Sequence, residues 1–167
     1  AYHPDVRAFA VKDRADNEVG LFLGDYFARA SKISGAWMTA FRNQERLREA
    51  TTPIILNVMN FAKPAPGAPA LLSFDDARTL FHEFGHGLHG LLSDVTYPSL
   101  FGTSVERDFV ELPSQLYEHW LYEPAVLKEF ARHHETGEPM PDALIEKLKA
   151  AENFNQGFQT VEYLACA

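Results

Sequence analysis

Two histidines and a glutamate stand together in the run His82-Glu83-Phe84-Gly85-His86. On an α-helix, positions four apart differ by about 40° of rotation and about 6 Å of rise, so both imidazoles can reach one ion from a single face. Glu83 then lies about 100° round from His82, where it can touch a water on that ion without becoming a ligand, the position a general base requires. A solvated histidine face is the plainer alternative. Against it, Gly85, Gly87 and Gly90 interrupt the same segment, each costing about 1 kcal/mol relative to alanine, which implies that something packs very close to this helix.

A catalytic zinc site takes three protein ligands and keeps one position open, so a third donor must come from elsewhere. Downstream, Asp108, Glu111, Gln115 and Glu118 recur at spacings of 3, 4 and 3 and form a polar stripe on one helix face. Periodicity does not choose between Asp108, Glu111 and Glu118. His89 reads as a hydrogen-bonded structural histidine, and His119, His133 and His134 read as surface residues.

The elements that must position these groups follow from patterning. Ser73 with Asp76 looks like the cap of a helix over roughly 74–92, with Leu80, Phe81, Phe84, Leu88, Leu91 and Leu92 on one face and His82, His86 and His89 on the far side. Thr103 with Glu106 has the spacing of a capping box. Val105, Phe109, Leu112, Leu116 and Trp120 repeat behind it, so a second helix kinked near Pro113 is expected. A third helix is expected from Pro124 to before Gly137, with one or two more over 142–167. Upstream, 6–11 and 19–26 read as a β-hairpin, 27–50 as a surface loop with some helix, and 53–61 as a strand closed by the proline-rich loop 63–69. The fold class expected is thus α+β and mainly helical, with a small antiparallel sheet beside the histidine-bearing helix.

The chain has 15 Lys and Arg against 23 Asp and Glu, a formal charge of −8, with no block of like charges. Nucleic acid is therefore an unexpected partner, and so is an acidic membrane surface. No apolar run approaches the roughly 20 residues needed to span a bilayer, and Ala1-Tyr2-His3-Pro4 lacks the layout of a signal peptide. A single cysteine, Cys166, requires no oxidising compartment, so a cytoplasmic setting is expected, with Cys166 buried as a small apolar residue. The chain begins without methionine and stops in the apolar stretch 161–167, which suggests a piece of a longer polypeptide.

Taken as a whole, the runs Phe74 to His89, Gly102-Thr103-Ser104 and Asp108-Phe109-Val110-Glu111-Leu112-Pro113-Ser114-Gln115 resemble the thimet oligopeptidase family of zinc metallopeptidases, in particular its bacterial peptidyl-dipeptidases. The likeness covers nearly all 167 residues, including Tyr2 to Arg7 and Asn57 to Phe61. It implies a zincin-like unit, part of a catalytic domain over 1–167, holding one zinc ion through His82, His86 and Glu111 with Glu83 as catalytic base. Glu118 matches a family acid that would orient a histidine ligand, and Asp108 is a second candidate for such a supporting role. The implied activity is hydrolysis of short peptides, releasing C-terminal dipeptides; an endo-acting oligopeptidase or a non-catalytic metal-stabilised piece are the alternatives. Family members are several times longer, so the rest of the parent polypeptide is expected to complete the substrate channel. The substrate backbone is expected along a strand edge, at 56–61.

Overall fold

The structure, a computed structural model, describes residues 2–166. Within them the order is β1 (Val6–Lys12), β2 (Glu18–Phe27), β3 (Trp37–Arg42), β4 (Ile54–Phe61), α1 (Phe74–Leu91), α2 (Leu112–Leu121), α3 (Pro124–Phe130), α4 (Asp142–Glu152) and α5 (Gln156–Cys166). This is the α+β composition expected. The contacts divide it into one unit up to Leu121 and another from Tyr122 on.

The sheet is mixed rather than antiparallel, with strand order β1-β2-β4-β3. The β1–β2 hairpin forms as expected, but β4 lies parallel to β2, with Leu23 opposite Leu56 and Gly24 opposite Asn57. The reason is topological. The chain reverses from β2 to β3 and again from β3 to β4, so β4 runs in the same direction as β2 when it pairs beside it, with β3 on its outer side.

Two expectations fall with this. The segment 27–50 is not a loop with some helix but contains β3, an edge strand whose alternation is blurred because Thr39, Phe41 and Arg42 all face solvent. From Ile54 to Val58 the strand 54–61 is paired on both sides, so residues 56–58 of the edge expected at 56–61 for a substrate backbone are already used. The free edges belong to β1 and β3.

One sheet face gathers Val6, Leu23, Leu56 and Val58. The other packs Phe22 and Ile55 against Leu91 of α1 and Phe101. α1 begins with a complete capping box: the Ser73 hydroxyl accepts from the Asp76 N–H at 3.1 Å, and the Asp76 carboxylate accepts from the Ser73 N–H at 3.1 Å. The close packing implied by its glycines is present. A Cβ on Gly90 would lie 2.7 Å from Ile55 Cδ1 of the sheet, and one on Gly85 would lie 2.6 Å from the Ser114 Cα of α2. Each helix–neighbour contact thus exists only because a side chain is missing there.

α2 starts at Leu112, and 103–111 are turns rather than the first half of a kinked helix. Pro113 decides this. It has no N–H to give to a preceding turn, so it stands in the first turn of a helix instead of interrupting a longer one. Its neighbour Ser114 is fully buried against α1.

In the second unit α3 stops at Phe130, short of the expected end, because 132–139 turn back through an Arg132–Pro139 bridge. α4 and α5 fill 142–166, with Leu127 and Ile145 buried. α5 has no buried residue, and Cys166 on it is exposed rather than buried.

Candidate metal centre

α1 fixes His82 and His86 one turn apart, with ring centroids 4.9 Å from each other and the planes at 85°. Glu111 comes from the joint between the 103–111 turns and α2, and its backbone carbonyl accepts the Gln115 N–H at 2.9 Å as the first helical bond. The contact of Gly85 with Ser114 sets how deeply α2 sits on α1. As a result Glu111 Oε2 reaches 3.3 Å from His82 Nε2 and 3.1 Å from His86 Nε2. One ligand atom from each of the three residues falls within 4.8 Å of the others. Two donors bound to one tetrahedral ion at the usual 2.0–2.1 Å stand about 3.3 Å apart, so two nitrogens and an oxygen at this spacing suit a small divalent cation such as zinc.

Around the three donors lie groups that orient or tune them. Glu118 Oε1 is 2.6 Å from His82 Nδ1, so that imidazole is held on its far side while Nε2 faces the cluster. Ser114 Oγ is 2.8 Å from Glu111 Oε2. Asp108 stands exposed in the turn before α2 and is not among the clustered donors. Glu83 is 7% exposed. Burial pushes its carboxyl upward, and the Glu111 charge adds to this against the opposing effect of His82. Burial likewise lowers the His86 imidazole, favouring its neutral form. Burial alone lowers His89.

Of the residues the sequence singles out, His82, His86 and Glu111 come together, Glu118 reaches His82, Glu83 is buried on α1, and Asp108 stands apart. Ser114 escaped the sequence reading. The signal was a hydroxyl three residues after a glutamate across a helix start, a spacing shared with many inert serines. Asn57 escaped it too: fully buried on β4, its carboxamide faces Gly87, and neither end has a hydrogen-bond partner among the described residues. His119, His133 and His134 are exposed as expected.

No described helix is long and apolar enough to cross a membrane. The chain is 51% identical over 166 residues to a protein named dipeptidyl carboxypeptidase from Escherichia coli (strain K12), covering 99% of this chain and 24% of that protein. It is 43% identical over 156 residues to oligopeptidase A of the same organism, covering 92% and 23%, and 38% identical over 160 residues to a thimet-like oligopeptidase of Dictyostelium discoideum, covering 92% and 24%. The chain therefore spans about a quarter of the length of these relatives. The profile of peptidase family M3 matches residues 1–167 from end to end, and with the relatives it places the chain in that family of peptidases.

Proposed function

We propose that the chain is the metal-bearing portion of a zincin-type, zinc-dependent peptidase that releases dipeptides from the C-termini of short peptides in the cytoplasm. The observation that carries the reading is the convergence of His82 Nε2, His86 Nε2 and Glu111 Oε2 beside the buried Glu83. His82, His86 and Glu111 would hold one zinc ion. Bound there, the ion would supply Lewis-acid polarisation of a peptide carbonyl and acidify a water. Glu83 would accept the proton of an attacking water and pass it to the leaving amine. Glu118 keeps the proton of His82 on Nδ1, leaving Nε2 as the donor. Of the two free sheet edges, β3 is the one packed beside α1, with Met38 against Gly90, so an extended peptide has its partner strand there rather than on β4.

Release of dipeptides is favoured over endo cleavage by the higher identity to the dipeptidyl carboxypeptidase, 51% against 43% for oligopeptidase A. The relatives are about four times as long as the matched stretch, and we take the remainder of such a polypeptide to complete the substrate channel. A lone cysteine that needs no oxidising compartment supports the cytoplasmic setting.

Glu83→Gln in the full-length polypeptide tests the reading. Loss of peptide hydrolysis with zinc content retained is expected. Retained hydrolysis, or no bound zinc in either protein, overturns it. Peptides with an amidated C-terminus separate the two cleavage modes, since dipeptide release depends on the free carboxylate.

A further inference from the structure

Glu111 is the most exposed of the three donors: its side chain is 48% accessible, against 27% for His82 and 11% for His86. A glutamate left free at such a position loses rotamer freedom when it is fixed, and that cost falls on ion binding unless the side chain is already held. Ser114 is placed to hold it. Its side chain is fully buried, and its Cα is pressed against Gly85, so it has no room to move aside.

Ser114 Oγ lies 2.8 Å from Glu111 Oε2 and 2.9 Å from the Glu111 carbonyl oxygen. A hydroxyl has one proton to give. The carbonyl already accepts the Gln115 N–H, and a carboxylate is the stronger acceptor, so the proton goes to Oε2. This reverses the common arrangement at a helix start, in which the capping side chain accepts from the backbone N–H three residues on. Here the side chain three residues on donates to the carboxylate of the residue before the helix.

We infer that Ser114 is a positioning residue for the metal-binding carboxylate, its hydroxyl pinning Glu111 Oε2 toward His82 and His86 before an ion arrives. The inference rests on the proposal that these three residues hold zinc. The competing role is local: a serine hydroxyl bonding back to the carbonyl three residues earlier, as helical serines often do, which affects only the helix start.

Ser114→Ala, Ser114→Thr and Glu111→Ala in the full-length polypeptide separate the two, with the zinc dissociation constant read by competition against a chromophoric chelator and the melting temperature of the metal-free protein read in parallel. Alanine is a good helix former and smaller than serine, so Ser114→Ala should fold. It should weaken zinc binding by about 10–100-fold, the usual cost of losing a group that orients a ligand, with little change in the metal-free melting temperature. Ser114→Thr keeps the hydroxyl but adds a methyl at a fully buried position, so affinity should be retained relative to Ser114→Ala if its metal-free melting temperature matches the parent's. Unchanged zinc affinity in Ser114→Ala, with only the metal-free melting temperature lowered, overturns the inference. If Glu111→Ala abolishes zinc binding while Ser114→Ala leaves the affinity unchanged, only the role of Ser114 falls; if Glu111→Ala binds zinc like the parent, the metal site falls with it.

Discussion

Gly85→Ala adds one methyl group at the closest approach of α1 and α2. The new Cβ would stand 2.6 Å from Ser114 Cα, 2.8 Å from the Pro113 carbonyl oxygen and 3.0 Å from Tyr117 Cβ. Two of these are backbone atoms, which cannot rotate away. Restoring the 3.4 Å at which ordinary contact begins requires α2 to back off by about 0.8 Å. Glu111 and Glu118 travel with α2 while His82 and His86 stay on α1. A displacement of that size is several times the roughly 0.2 Å tolerance of metal–ligand distances. Stability moves little, because overpacking costs about 1–3 kcal/mol while replacing a helical glycine returns about 1 kcal/mol. The expected outcome is therefore dissociation of the two properties: zinc affinity down at least roughly tenfold, or about 1.4 kcal/mol, with a net loss of about 0–2 kcal/mol in metal-free stability. Chelator competition and thermal melting of the same samples decide it. A variant that melts higher and binds zinc as tightly as the parent would refute the claim that this glycine sets the ligand geometry.

Glu118→Gln keeps a partner for the His82 ring but removes its charge, and should weaken zinc binding by about tenfold without unfolding the protein; equal affinity in a competition titration refutes the orienting role. Burial raises the Asp25 carboxyl, but two hydrogen bonds from Arg29 at 2.6 and 2.7 Å, one from Tyr2 at 2.7 Å and the nearby Lys32 ammonium bring it from 3.8 down to about 2. A folded pKa below the unfolded one contributes roughly 2 kcal/mol that is fully present above about pH 5 and is lost as pH falls through 4 toward 2. Denaturant titrations should show Asp25→Asn less stable at neutral pH by at least that amount, with a flatter acid limb, and an unchanged acid limb argues against it. Asn57→Val removes two buried polar atoms without described partners and suits a central strand, so it should raise stability by about 1–3 kcal/mol; a fall in melting temperature contradicts that.

The histidine helix was legible because its signals are local: a capping serine, an apolar face and donors at a spacing only a helix makes useful. The third donor was not. Asp108, Glu111 and Glu118 share a helical period, but Asp108 and Glu111 lie before α2 begins, so the period does not describe them. What selects Glu111 is the tertiary contact of Gly85 with Ser114, which periodicity cannot express, and the residue was named through family resemblance instead. Strand direction was illegible for a similar reason: Ile54 to Phe61 announces a strand by composition, yet its parallel pairing with β2 depends on β3 arriving on its other side. β3 itself carries three exposed residues in six, and an edge strand of that kind has no pattern to read.

The donors come from stretches about 25 residues apart, His86 and Glu111, and meet only once α2 has docked. A growing chain on the ribosome therefore displays two imidazoles well before it displays the carboxylate. On the zinc reading, an ion met at that stage would be held by two of its three donors and would exchange freely until the carboxylate docks.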